Sequence, residues 1–181
     1  MHEVRALTQL VASTPLKEEQ VFTAMSNKTF LLLGGYGYTG ACLVPLLLQE
    51  TNIRIRVAGR NLEKAKAAAK HWNRLFPGDR VEAVRADAAD PESLRQACSG
   101  IHFVLVASCT ARFARNIAVA ALESGADYLD VMFPQSKLPL LRSLADRMTE
   151  EGRCFITEAG FHPGLAAALV HYANQHFLLR R

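Results

Sequence analysis

The chain has 181 residues, half of them hydrophobic and 21% charged, with no Pro/Gly/Ser-rich or like-charge run. That composition suits one well-buried domain and excludes a disordered chain or two comfortable domains. Its formal charge of +4 is spread along the sequence rather than gathered on one face, which suits an anionic cofactor and gives no nucleic-acid surface.

Residues 1–26 carry no strand or glycine signal, and Met25 stands just before Lys28 and the first apolar run. They are expected to form an N-terminal extension: a leader, an upstream start or a surface helix. Residues 27–181 are expected to form a single domain. A first strand near Phe30–Leu33 runs into Gly34-Gly35-Tyr36-Gly37-Tyr38-Thr39-Gly40 and then into the helical pattern Ala41-Cys42-Leu43-Val44. A pyrophosphate must approach backbone N–H groups at the positive end of a helix. A Cβ at Gly35 or Gly37 would block the turn or the phosphate, and Gly40 lets helix and strand pack closely. The strand before and the helix and strand after make G-x-G-x-x-G a candidate cofactor site, with Tyr38 and Thr39 at its helix start. A glycine-rich turn without a ligand is the alternative. Pro45, inside that helix, removes one backbone bond and predicts a bend.

In the second strand, Ile53–Ala58, apolar residues alternate with arginines, so Ile53, Ile55 and Val57 share a face. The strand ends at Gly59-Arg60, where no acidic residue stands. A carboxylate there would bind the ribose 2′-OH of NAD, whereas an arginine accommodates the 2′-phosphate of NADP. Arg60 therefore points to NADP(H), the alternative being a solvated arginine at a strand end. Leu62, Ala65, Ala69, Trp72 and Phe76 then form a helical stripe.

The third strand, Val81–Ala86, leads to Asp87, expected near the adenine. Asp90-Pro91 sets a capping side chain before a first-turn proline, and Gly100 closes the helix they open. A fourth strand, Phe103–Ala107, ends at Ser108-Cys109-Thr110, expected beside the pyrophosphate and nicotinamide ribose. Strands near Tyr128–Val131 and Cys154–Thr157 flank a helix with the stripe Leu138, Leu141, Ala145 and Met148. This alternation predicts an α/β fold: a doubly wound parallel sheet of the Rossmann type, six strands in the order 3-2-1-4-5-6, its ligand crevice between the first and fourth strands.

Other chemistry has little in the sequence to rest on. Cys42, Cys98, Cys109 and Cys154 lack C-x-x-C spacing and lie in apolar neighbourhoods, so they are expected to be reduced thiols in the cytoplasm, with Cys109, which has no charged neighbour in sequence, inert. His171 and His176 are off the i, i+4 face of a helical metal pair, and no metal is expected. No stretch approaches the ~18 apolar residues of a membrane span. Tyr128 and Tyr172 have Met132 and His176 four residues on, so no Tyr-x-x-x-Lys proton donor is formed at either. No catalytic residue is assigned.

Leu33-Gly34-Gly35-Tyr36-Gly37-Tyr38-Thr39-Gly40, Ala58-Gly59-Arg60-Asn61, Gly125-Ala126-Asp127-Tyr128-Leu129-Asp130 and Ala159-Gly160-Phe161-His162-Pro163-Gly164-Leu165 occur in that order. Together they resemble the NADP-binding half of saccharopine dehydrogenase-like reductases, over about Lys28 to Tyr172. The resemblance implies NADP(H) held by Gly35, Gly37, Gly40 and Arg60. It also implies that Gly160 to Gly164, including His162, turn toward the cleft of a small-molecule substrate, with hydride transfer at a carbon bonded to nitrogen or conjugated to a carbonyl. Family members commonly carry an acidic residue where His162 stands, so a role tied to that charge does not carry over.

The family fold continues into a substrate-binding domain, whereas this sequence ends at Phe177-Leu178-Leu179-Arg180-Arg181. The expectation is a truncated product or natural remnant that binds the dinucleotide without turnover. Its last helix (Leu165, Ala168, Leu169, Tyr172, Leu178) would favour self-association. Two other readings stay open: an NADP-sensing module related to short-chain dehydrogenases, since Gly34, Gly37 and Gly40 also fit G-x-x-G-x-x-G, and a non-catalytic interaction remnant.

Overall fold

Short β-rich runs separated by amphipathic helical segments force a parallel sheet, because each strand can rejoin its neighbour only through a crossover that covers a face. The computed structural model describes residues 27–160. In chain order it contains β1 (Thr29–Leu33), α1 (Tyr38–Glu50), β2 (Arg54–Gly59), α2 (Leu62–Leu75), β3 (Val81–Arg85), α3 (Pro91–Cys98) and β4 (Phe103–Val106). It continues with α4 (Ala114–Glu123), β5 (Asp127–Asp130), α5 (Leu138–Arg142), α6 (Ala145–Glu150) and β6 (Phe155–Ile156). Single 3₁₀ turns cover Ala111–Phe113 and Gln135–Lys137. The sheet order is β3-β2-β1-β4-β5-β6 with every pair parallel, as the alternation predicts. Leu31 lies opposite Arg56 on one side and Val104 on the other. The chain therefore reverses its winding direction between β1 and β4.

Both faces of the sheet are covered, which is why Leu31, Leu32 and Leu33 are all buried instead of alternating. Ile53, Ile55 and Val57 pack with Leu32, Val44, Leu48, Ala65 and Ala69 on one face. Leu31, Leu33, Val104 and Val106 pack with Leu94, Ile117 and Ala121 on the other. The arginines of β2 are not simply solvated. Arg56 is half-buried, pairs with Glu82 at 2.6 Å and donates to the carbonyls of Ala97 and Ser99 at 2.8 Å each, satisfying acceptors at the C-terminal end of α3.

The helix starts follow the sequence. Asn61 Oδ1 accepts the Lys64 N–H, Asp90 Oδ1 accepts those of Glu92 and Ser93, and Gly100 closes α3 at φ +70°. Pro45 costs α1 one backbone bond without ending it: the helix runs unbroken through the proline. The stripe after β5 needs a correction. The segment breaks between α5 and α6, Leu144 is buried and Ala145 is exposed. Leu144 N–H bonds to the Leu141 carbonyl at 3.0 Å, an i→i+3 tightening, so the next inward position after Leu141 comes three residues on instead of four.

The cysteines divide by burial. Cys98 is buried and burial pushes its thiol up to about 12, whereas Cys42, Cys109 and Cys154 are exposed and free. The apolar neighbours in sequence do not cover those three. Maleimide added to the native chain should label three thiols rapidly and leave Cys98 untouched until denaturant is added. Mass mapping of the labelled peptides checks this, and rapid native labelling of Cys98 would show that α3 opens readily. The N-terminal extension, His162, Gly164 and the apolar C-terminal residues expected to form a helix lie outside the described residues.

Candidate functional site: a groove at the sheet reversal

Backbone hydrogen bonds within β1 and the loop that follows it, and one to β2, close the turn between β1 and α1. Gly34 donates to the Ala58 carbonyl at 2.8 Å, Gly35 to Leu32 at 3.1 Å and Gly37 to Gly34 at 2.9 Å. Its glycines are needed for different reasons. Gly34 has φ +90°, and a Cβ there would lie 2.8 Å from the Ala107 carbonyl oxygen. At Gly40 a Cβ would lie 2.6 Å from the Gly35 Cα, and at Gly35 it would lie 3.0 Å from Val57 Cγ1, so these two serve helix-on-strand packing. Gly37 differs. Its φ of −81° and ψ of 176° are open to any residue, and a Cβ would approach only the Gly34 carbonyl, at 3.1 Å. The protein's own packing leaves room there, and that room opens on a groove.

The groove has a volume of about 530 Å³ and runs along the ends of β1, β2, β3 and β4. Of the residues expected at the cofactor, Gly37, Tyr38, Thr39, Arg60, Asp87 and Ser108 line it, while Gly35 and Gly40 do not and are packed against the chain itself. Tyr38 is 92% exposed at the start of α1, a 13-residue helix that no side chain caps. Its first-turn N–H groups thus have no side-chain acceptor, and the positive end of its dipole faces the groove. Arg60 is exposed and has no carboxylate partner among the described residues. Asp87 is held by its own loop and by α3: Oδ1 accepts the Ala89 N–H at 3.0 Å, and its N–H donates to Ser93 Oγ at 3.1 Å.

Tyr36 is a site residue that the glycine spacing does not announce. Its hydroxyl accepts the Asn61 N–H at 3.0 Å, and its ring lies so close over Gly59 that a Cβ there would be 2.6 Å from Tyr36 Cε1. The tyrosine fixes the β2 end, and with it Arg60, against the β1 loop. The signal was a tyrosine within the glycines and a glycine just before Arg60. A shallower depression bounded by Tyr36, Arg60, Asn61 and Lys64 adjoins the groove at the start of α2.

At the β4 end, Ser108 Oγ lies 3.1 Å from Thr110 Oγ1, which in turn lies 3.8 Å from Met132 Sδ. Beyond them a second cleft of about 530 Å³ is walled by Thr39, Ser108 and Cys109 on one side and Met132, Phe133 and Pro134 on the other. Gly160 stands near it; its Cβ would lie 3.0 Å from the Val131 carbonyl oxygen. Asp130, fully buried at the end of β5, accepts from the Tyr128 hydroxyl (2.8 Å), the Thr157 hydroxyl (2.8 Å), the Met132 N–H (3.0 Å) and the Glu158 N–H (3.2 Å). Burial first, and then the neighbouring Asp130 charge, push the Tyr128 phenol far up, so it serves as a neutral donor. Lys137, also fully buried, lies 3.3 Å from Asp130 Oδ1. Sequence reading missed this lysine, because nothing in its spacing marks burial. Among the described residues no His/Cys/Asp/Glu group could hold a metal, and no helix is long and apolar enough to cross a membrane.

Comparison with known proteins identifies the family and the fold. Residues 30–155 match the family model described as the saccharopine dehydrogenase NADP binding domain. An Arabidopsis thaliana protein named as a probable mitochondrial saccharopine dehydrogenase-like oxidoreductase is 27% identical over 143 residues, covering 72% of this chain and 31% of its own. Apo saccharopine dehydrogenase (L-Glu forming) from Saccharomyces cerevisiae superposes with a TM-score of 0.66 at 23% identity, over 82% of this chain and 32% of its own. Triphenylmethane reductase of Citrobacter sp., solved with NADP(H), gives a TM-score of 0.54 at 18% identity, over 71% of this chain and 48% of its own. The chain thus spans under a third of the two saccharopine dehydrogenase relatives.

Proposed function

Because the chain belongs to the saccharopine dehydrogenase NADP-binding domain family, its cofactor is NADP(H), and we propose that its groove presents the nicotinamide for hydride transfer. The acceptor or donor is a small-molecule carbon bonded to nitrogen or conjugated to a carbonyl. The observation that carries this reading is the room at Gly37 beside an uncapped helix start, together with an arginine, not a carboxylate, at the end of β2. When bound, the cofactor supplies the hydride chemistry itself. The first turn of α1, open to approach because Gly37 carries no side chain, receives the pyrophosphate on its backbone N–H groups. Arg60, between Gly59 under the Tyr36 ring and Asn61 bonded to the Tyr36 hydroxyl, pairs with the 2′-phosphate. Asp87 borders the adenine, and Ser108 borders the nicotinamide ribose. Gly160, His162 and Gly164 are assigned to the substrate side.

Arg60→Ala tests the reading. A charge-assisted bond to phosphate is worth ~1.5–3 kcal/mol, so NADPH binding should weaken by roughly ten- to a hundredfold while NADH binding stays where it was. Titration calorimetry with both cofactors measures this, and equal losses for the two would remove Arg60 from the 2′-phosphate. We assign the chain to the cytoplasm, a reducing compartment that suits free cysteines, and to self-association through its C-terminal apolar residues. Fractionation of a tagged chain and sedimentation at two concentrations test these; an organelle-bound monomer would contradict both.

A further inference from the structure

The loop after β5 carries a buried lysine that cofactor binding, as derived above, does not use. Lys137 ends the 3₁₀ turn Gln135–Lys137, and its side chain, like that of Asp130, is 0% exposed. Its Nζ donates to the Met132 carbonyl and stands 3.3 Å from Asp130 Oδ1 and 3.8 Å from Glu158 Oε1. A buried ion pair is weak evidence for stability by itself, since apolar residues of similar volume often do as well. A role beyond stability is therefore worth seeking in what the pair holds.

Its contacts lead to the β4 end of the groove. Met132 is gripped at both backbone polar groups: Asp130 Oδ1 accepts its N–H at 3.0 Å and Lys137 donates to its carbonyl. Its side chain reaches Thr110, and Thr110 reaches Ser108. Met132 to Pro134 form one wall of the cleft that Thr39 and Ser108 share with the groove. Glu158 has φ +61°, which a residue with a side chain seldom adopts, and its Oε1 accepts from Gln135 Nε2 at 2.6 Å. The chain after β6 is thereby tied to the chain after β5, around the same lysine.

We propose, on the reading of the groove as an NADP(H) site, that Lys137 is a positioning residue that fixes the Met132–Pro134 wall where the nicotinamide end of the cofactor meets its substrate. The wall lies beyond Ser108, so a ligand that ends at the ribose does not need it. 2′-Phospho-ADP-ribose, which lacks the nicotinamide, is therefore the control. A merely structural lysine would affect both ligands alike.

The test uses the whole 181-residue chain, with calorimetry of NADPH and of 2′-phospho-ADP-ribose on the parent and on Lys137→Met. The charge-balanced pair Lys137→Met with Asp130→Asn is measured as well, since the single variant leaves a buried carboxylate unpaired. NADPH should bind about tenfold more weakly to a folded variant, with 2′-phospho-ADP-ribose unchanged, the size of effect seen for residues that act through others. In the parent, NADPH should slow hydrogen exchange of residues 132–137 more than 2′-phospho-ADP-ribose does. Equal weakening of both ligands, or none, overturns the proposal. If neither variant folds, equal protection of 132–137 by the two ligands overturns it. A parent that binds neither ligand brings down the cofactor reading and this inference with it, whereas a parent that binds both without the selective loss brings down this inference alone.

Discussion

Gly37→Val should abolish NADPH binding and leave the sheet folded. The backbone at Gly37 is extended, so valine meets no left-handed strain, and the sole close neighbour of its Cβ is the Gly34 carbonyl oxygen at 3.1 Å. Local adjustment can relieve that contact. The branched side chain then stands at the uncapped start of α1, where a pyrophosphate must come within hydrogen-bonding distance of the backbone. Several charge-assisted bonds at ~1.5–3 kcal/mol each are lost together, which corresponds to at least a hundredfold in affinity. Gly40→Val is the contrasting variant. Its Cβ would lie 2.6 Å from the Gly35 Cα and 2.7 Å from the Gly35 carbonyl carbon, so helix and loop must separate and the fold itself should suffer. Circular dichroism melting with a cofactor titration on each variant distinguishes the two. Undiminished NADPH binding by Gly37→Val would move the phosphate site away from this loop.

Asp130→Ala should be the most destabilising single substitution at the β5 end, by about 3–5 kcal/mol, because it leaves Lys137 buried without its nearest carboxylate and removes the acceptor of four further donors. The loss should appear in urea as a lower midpoint at an unchanged slope. Glu63→Ala supplies the comparison: its pair with Lys66, at 3.0 Å, is exposed on both sides and should give no measurable change. Asp130→Asn keeps shape and one acceptor and should fall between the two. An Asp130→Ala midpoint equal to that of the parent would show that the buried cluster is not coupled to global folding.

The sequence by itself determined the architecture, because strand and helix periods are local signals. Apolar runs, the cap at Asp90 and the arginine at the end of β2 are readable without knowing what packs where, and parallel strands joined by right-handed crossovers leave few topologies. The groove followed from the same logic: Gly37, Arg60, Asp87 and Ser108 lie at the ends of four strands, and the order of those strands brings the ends together. Tertiary structure decided what depends on partners distant in sequence. Which glycine is packed against and which stands open depends on Val57 in β2 and on Ala107 just after β4. The inward position after Leu141 is Leu144 rather than Ala145 because a 3₁₀ bond shifts the helical register by one residue. Lys137 looks like a surface lysine in the sequence. It is buried because Asp130, at the end of β5, and Glu158, after β6, come within 4 Å of one ammonium group, and no local pattern encodes that meeting.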